Sequence, residues 1–131
     1  LRKAKKLGIL HAVQIESSMD FSDLAALYRN ADLVVYPSYY EGQGLIPLEA
    51  MASGTPVVTV DHGPLPEMVD ETVGSLFKMG NISSMADSII AELSNHTTLK
   101  EKGMKGRARV EERFAFEHDA DHFISIYMRV Q

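Results

Sequence analysis

Two carboxylates stand close together in the stretch 37–56, where the chain also has glycines at positions 42 and 44. Glu41 and Glu49 have seven residues between them. A carboxylate can accept hydrogen bonds from two adjacent hydroxyls, as a ribose offers, or stabilise positive charge at an anomeric carbon. The glycines let the backbone approach a ligand closely. This stretch is therefore a candidate site for a ligand that is rich in hydroxyl groups.

A helix expected directly after these glycines would add an anion site. Residues 32–36 are mostly apolar and predict a buried parallel strand, which Pro37 ends because proline cannot donate to a sheet ladder. A helix then begins near Leu45, has Pro47 in its first turn and ends at Gly54. Its first-turn amides lack partners and, together with the helix dipole, suit a diphosphate. On spacing alone, favourable helix electrostatics for a glutamate and the frequency of glycines in loops are the simpler explanation of the same pattern.

The elements that must position this stretch alternate between strand and helix. Apolar patterns predict strands at 12–15, 32–36, 56–60 and 73–78, and helices at 1–7, 21–30, 45–52, 67–69, from 83 onward, 98–113 and 116–130. This alternation predicts an α/β fold with a Rossmann-like parallel sheet flanked by helices. Ligands of such sheets bind at the carboxyl ends of the strands, which indicates the loops after Tyr36 and Val60.

Composition excludes several other kinds of protein. The chain has 131 residues, enough for one domain, and its 45% apolar and 24% charged residues are typical of a soluble globular protein. The absence of cysteine excludes disulfides and thiolate metal sites and fits a cytoplasmic location. A net charge of −5 argues against a nucleic-acid partner. No apolar run is long enough for a transmembrane segment.

The stretch 37–56 resembles the signature of glycosyltransferase family 4, also called group 1, whose members have the GT-B fold. Their pattern has two glutamates separated by seven residues, in a string like P-S-x-x-E-G-F-G-L-x-x-L-E-A-M-A-x-G-x-P-V-V. Flanking matches extend the resemblance over roughly residues 5–127: Tyr28 to Asp32, Gly63, Pro66, Glu67, Val69, Gly74, Leu76, Phe114, Phe116 and Tyr127. The resemblance implies transfer of a sugar from a nucleotide-diphosphate donor, with retention of configuration and without a metal.

The resemblance also implies a role for each part of the site. Glu41 would be the catalytic residue that contacts the donor sugar, and Glu49 would bind the ribose. The remaining expected donor-binding residues lie on the two loops and at the start of the helix: Gln43, Gly44, Leu45, Ile46, His62, Gly63 and Glu67. Of these, the amides near Gly44, Leu45 and Ile46 would hold the diphosphate, and His62 is included for its place after Val60.

Three positions depart from the family pattern and leave the nucleotide base and the sugar open. Gln43 replaces the usual aromatic residue, Pro64 the second glycine of a G-G-x-P-E loop, and Phe116 the frequent tryptophan. The family's phosphate-binding Arg and Lys would lie upstream of residue 1. We therefore expect residues 1–131 to be a single, partial C-terminal donor-binding domain. The facing N-terminal domain would bind the acceptor, and the full-length protein could be peripheral to a membrane.

Other interpretations stay open beside the enzyme. The chain could be a nucleotide-sugar-binding module without turnover, or part of a GT-B epimerase, although the glutamate spacing argues against the epimerase. His118 and His122 have the i, i+4 spacing of a surface metal contact, but an exposed polar helix face is the simpler interpretation. On its own, the fragment is expected to bind donor weakly, not to turn over, and to expose an apolar sheet face that favours self-association.

Overall fold

The structure, a computed structural model, describes residues 1–129 apart from the side chains of residues 116–119, 121 and 122. Its strands are β1 (Val34–Tyr36), β2 (Val57–Val60) and β3 (Gly74–Phe77). Its helices are α1 (Arg2–Lys6), α2 (Phe21–Asn30), α3 (Leu45–Ala52), α4 (Leu65–Met68), α5 (Ile82–Leu93), α6 (His96–Arg113) and α7 (Phe116–Arg129). The strands form a parallel sheet in the order β1-β2-β3, so the predicted α/β fold is confirmed.

Strand β2 is the centre of the fold. All four of its residues are buried, and Val57 pairs with Val34 of β1 on one side and with Gly74 of β3 on the other. The alternation of a strand sends Val57 to one face and Val58 to the other, where each joins a different apolar cluster. The run of β-branched residues therefore fits a strand that is covered on both faces.

Helix α6 packs directly on the turn that joins α3 to β2. A Cβ atom at Gly103 would lie 2.1 Å from the carbonyl oxygen of Gly54. Only a residue without a side chain allows this approach, which brings α6 against α3 and closes one face of the core.

The strand predicted at 12–15 is wrong. Leu10–Ala12 form a 3-10 turn, and residues 13–16 have no regular structure. A strand needs a hydrogen-bonded neighbour, and within residues 1–129 no strand lies beyond β1. Strand β1 is accordingly an edge strand, shorter than expected and with Val35 36% exposed rather than buried.

Helix boundaries shift because asparagine side chains cap two helices. Asn81 accepts from the amide of Ser84 at 2.9 Å, so α5 begins one residue before the predicted Ser83. Asn95 accepts from the amide of Thr98 at 3.2 Å, so α6 begins at His96 rather than at Thr98. The short helix predicted at 67–69 lies slightly earlier, at 65–68. Across residues 1–129, none of the helices has the length and apolar character needed to cross a membrane.

Candidate functional site

Two loops meet at the carboxyl edge of the sheet. The β1–α3 loop, residues 37–44, and the β2–α4 loop, residues 61–64, follow neighbouring strands in which Tyr36 pairs with Thr59. A Cβ atom at Gly63, whose φ is +60°, would lie 3.9 Å from the carbonyl oxygen of Glu41. The structure therefore brings together the two loops that the sequence indicated.

Hydrogen bonds reach both carboxylate oxygens of Glu41. The hydroxyl of Tyr36 donates to Oε2, and the amides of Gly42 and Gln43 donate to Oε1 at 3.1 and 3.4 Å. The Tyr36 bond is the main reason that the pKa of Glu41 lies below its ordinary value, with help from the backbone amide of Gly44. At neutral pH this side chain is an ionised, oriented carboxylate, suited to accept hydrogen bonds and to stabilise positive charge.

Gly44 makes the start of α3 possible. Its backbone is left-handed, with φ +89° and ψ 45°, and a Cβ atom there would lie 3.0 Å from Leu65 Cδ2 and 3.1 Å from Met68 Sδ. The left-handed backbone favours glycine, and an added Cβ atom would force the Leu65 and Met68 side chains to shift by a few tenths of an ångström.

The first turn of α3 offers two amides to a ligand. Pro47 has no N–H, and the amide of Leu48 already donates to the carbonyl of Gly44 at 3.4 Å. The amides of Leu45 and Ile46 come before the intrahelical ladder begins, and both residues are exposed. They lie at the positive end of the helix dipole, where an anion is stabilised.

Glu49 lies further along α3 and is half-buried. The hydroxyl of Tyr28, on α2, donates to its Oε2 at 3.3 Å. Burial raises the pKa of Tyr28, and the nearby charge of Glu49 raises it further, so the tyrosine is a neutral donor. Both side chains line a cavity of about 290 Å³ between α2 and α3, which also includes Phe21 and Arg107.

Two buried threonines hold the backbones of these tyrosines. Thr55 Oγ1 donates to the carbonyl of Tyr28 at 2.6 Å, and Thr59 Oγ1 donates to the carbonyl of Tyr36 at 2.8 Å. The tyrosine that contacts Glu49 is therefore fixed to the turn before β2, and the tyrosine that contacts Glu41 is fixed to β2 itself.

The remaining predicted residues lie at the exposed rim of the same edge. His62 and Glu67 are exposed, on the β2–α4 loop and on α4, and Gln43 is exposed on the β1–α3 loop. His118 and His122 lie outside the described side chains. Within the described residues, no group of three or more His, Asp or Glu side chains could hold a metal ion.

Arg109 on α6 fixes the end of α4, and the sequence analysis missed it. Its guanidinium donates to the carbonyl of Met68 at 3.0 Å and to the carboxylate of Asp70 at 2.9 Å. Burial pushes the pKa of Asp70 up, but the hydrogen bonds from Arg109 and Thr72 outweigh it and hold the pKa at about 2. This anchor keeps α4 against Gly44.

The tyrosine contacts were missed as well. Tyr28 entered the sequence analysis only as part of a motif, and Tyr36 only as the end of an apolar strand. A tyrosine in the last position of a buried strand is a usable signal, because its ring can pack in the core while its hydroxyl reaches the loop that follows.

The fold and this edge define a class of protein. A sequence model of the family described as glycosyl transferases group 1 matches residues 1–109. The chain belongs to this family.

Relatives of known identity agree with this assignment. The chain is 37% identical over 136 aligned residues to the D-inositol 3-phosphate glycosyltransferase of Mycobacterium tuberculosis, with 98% of this chain and 27% of the relative covered. The chain therefore spans about a quarter of the length of the curated relatives it matches.

Solved structures show the same fold. Sucrose-phosphate synthase from Thermosynechococcus elongatus superposes with a TM-score of 0.90 at 31% identity, covering 98% of this chain and 33% of that chain. A TarM variant of S. aureus, solved in a complex that includes UDP, superposes with a TM-score of 0.83 at 28% identity, covering 96% and 26%.

Proposed function

We propose that this chain is the donor-binding part of a glycosyltransferase that takes a sugar from a nucleotide-diphosphate donor. The observation that carries the proposal is the oriented, ionised carboxylate of Glu41 beside the free amides at the start of α3. The carboxylate would face the sugar of the donor, where positive charge develops, and the neighbouring anion site would bind the diphosphate.

The donor would lie along the edge where the two loops meet. Its diphosphate would accept hydrogen bonds from the amides of Leu45 and Ile46, and Glu49 would accept from the ribose hydroxyls. In this structure the hydrogen bond from Tyr28 to Glu49 is long at 3.3 Å, so the carboxylate retains acceptor capacity for a ligand. The cavity of about 290 Å³ beside Glu49 gives the nucleoside a partly apolar surface.

Glu41 would act on the sugar itself. When the bond to the diphosphate breaks, positive charge develops at the anomeric carbon, and a fixed carboxylate stabilises it. The amides of α3 stabilise the negative charge of the leaving diphosphate, which is the task that a metal ion performs in other enzymes. We therefore propose transfer with retention of configuration and without a metal, as in glycosyltransferase family 4.

The acceptor would be bound by another domain of a longer protein. The relatives are several times longer than the part that this chain covers, and catalysis depends on a closed site that holds both substrates. Residues 1–131 alone would bind the donor weakly and would not turn over. The complex of TarM with UDP makes UDP the first nucleotide to test.

Calorimetric titration of the full-length protein with UDP, GDP and ADP tests the donor site. We expect one nucleotide to bind and Glu49→Gln to weaken its binding, whereas Glu71→Gln, an exposed change after α4, should leave it unaltered. If none of the three nucleotides binds, the donor-site assignment is wrong.

A second assay separates an enzyme from a binding module. The nucleotide sugar that binds is incubated with the full-length protein and a set of acceptors in EDTA, and the anomeric configuration of the product is read by proton NMR. A product of retained configuration supports the proposal, inversion contradicts the proposed stereochemistry, and tight binding without any transfer favours the binding module.

A further inference from the structure

We infer that Tyr36 is a positioning residue for Glu41, whose carboxylate it holds in the orientation that sugar transfer requires. The inference rests on the proposed function, in which Glu41 contacts the donor sugar. Tyr36 lies outside the loop that carries Glu41, since it is the last residue of β1. Its hydroxyl donates to Glu41 Oε2.

The position of the Tyr36 hydroxyl is set by the sheet. Its backbone pairs with Thr59 of β2, and the buried Thr59 hydroxyl donates to the Tyr36 carbonyl at 2.8 Å. The ring packs against the apolar cluster that contains Val58, Val60, Leu65 and Phe77. The oxygen that meets Glu41 is therefore held by the parallel sheet and by the apolar cluster on one of its faces.

The other hydrogen bonds to Glu41 come from its own loop. The amides of Gly42 and Gln43 donate to Oε1, and that of Gly44 also contributes. These amides belong to the residues directly after Glu41, so they orient the carboxylate relative to its own loop and not relative to the sheet. Within the described residues, the hydrogen bond from the Tyr36 hydroxyl is the side-chain contact that connects the Glu41 carboxylate to the sheet.

The electrostatics of the pair agree with this role. The bond to Glu41 raises the pKa of Tyr36, so the hydroxyl stays protonated and donates at neutral pH, while it lowers the pKa of Glu41. Asp61 and His62 are the titratable residues of the loop that approaches Glu41 from β2, and both are exposed. Loss of the Tyr36 hydroxyl should therefore let Glu41 take up a proton at higher pH.

Tyr36→Phe in the full-length protein tests the inference, because it removes one oxygen and leaves the ring to pack. We expect kcat to fall about tenfold, the order expected for one lost hydrogen bond to a charged group, with the donor KM within about twofold of wild type. The acid limb of the pH profile of kcat should move to higher pH, since Glu41 protonates more readily. A purely structural tyrosine would not move that limb.

A titration without substrate gives a second readout. The carboxyl carbon of Glu41 is followed by NMR in protein labelled with ¹³C-glutamate and is assigned by its loss in Glu41→Gln. Its midpoint should lie higher in Tyr36→Phe than in wild type. The matched control is Tyr40→Phe, the same change in a side chain of the same loop that is 94% exposed, and it should leave the midpoint unmoved.

The outcomes separate the inference from the proposed function. If wild type transfers sugar and Tyr36→Phe has an unchanged kcat and acid limb, the inference is overturned. An unmoved Glu41 midpoint overturns it as well. If the midpoint moves as expected but wild type transfers no sugar from any donor, the contact exists and it is the proposed function that fails.

Discussion

Glu41 and Glu49 belong to one motif, yet the structure surrounds them differently. Glu41 lies on a loop and receives hydrogen bonds at both oxygens, from Tyr36 and from two backbone amides. Glu49 lies on a helix and receives one long hydrogen bond from Tyr28. Each glutamate thus has a tyrosine partner, but Glu41 receives more hydrogen bonds from its own surroundings than Glu49 does.

The difference follows from what already orients each side chain. A helix sets the direction of Glu49, so few contacts are needed and the carboxylate can serve a ligand. A loop sets no direction, so Glu41 depends on Tyr36 and on the amides of the loop backbone. Under the proposed function, Glu41 is organised before the donor binds, whereas Glu49 completes its hydrogen bonds with the donor.

The largest expected effect comes from Glu41→Gln in the full-length protein. The proposed function places this charge next to the reacting sugar, so its removal should lower kcat by roughly 10²–10³-fold and change the donor KM little. Steady-state kinetics measure both parameters, with Glu71→Gln as the control for an exposed glutamate. A kcat close to that of wild type would mean that Glu41 has no role in the chemical step.

The second largest effect is expected at Gly44, which lies between the loop of Glu41 and the helix of Glu49. Gly44→Ala should lower the free energy of unfolding by about 2–4 kcal/mol, because it combines a left-handed backbone with a clash against Leu65 and Met68. Chemical denaturation measures this loss.

Gly54→Ala is the matched control, with a φ of +82° and open space around the site. It should lose only about 1–2 kcal/mol, the penalty for the backbone alone. Equal losses for the two variants would show that α4 yields to the added methyl group and that Gly44 is required for its conformation only.

Glu49→Gln should have a smaller effect, and on a different parameter. The donor KM should rise about tenfold with kcat nearly unchanged, since in the proposed function Glu49 is a charged acceptor for the ribose and takes no part in the chemical step. Kinetics with the nucleotide sugar that binds give the result. A fall in kcat at constant KM would reverse the division of roles between the two glutamates.

Tyr28→Phe should have the smallest effect. Because its hydrogen bond to Glu49 is long, we expect nucleotide affinity to fall by about two- to threefold. Calorimetric titration of Tyr28→Phe and Tyr36→Phe with the same nucleotide compares the two tyrosines directly. A larger loss in Tyr28→Phe than in Glu49→Gln would place the tyrosine itself in contact with the nucleotide.

Local sequence predicted most of the fold. The β-branched run of β2, the prolines and glycines that end elements, and the apolar spacing of the helices each act within a few residues. The prediction of a strand at 12–15 was wrong because strand formation depends on a neighbouring strand, which local sequence does not reveal. The exposure of Val35 has the same cause.

The sequence by itself determined the parallel sheet, the edge at which the two loops meet and the two glutamates with seven residues between them, because these depend on local propensity and on a short continuous motif. Only the tertiary structure decided which hydroxyl meets which glutamate, and how Arg109 anchors Asp70, 39 residues away along the chain. Such contacts depend on how distant elements pack, and a side chain's partner across the fold is not encoded in its spacing from its neighbours.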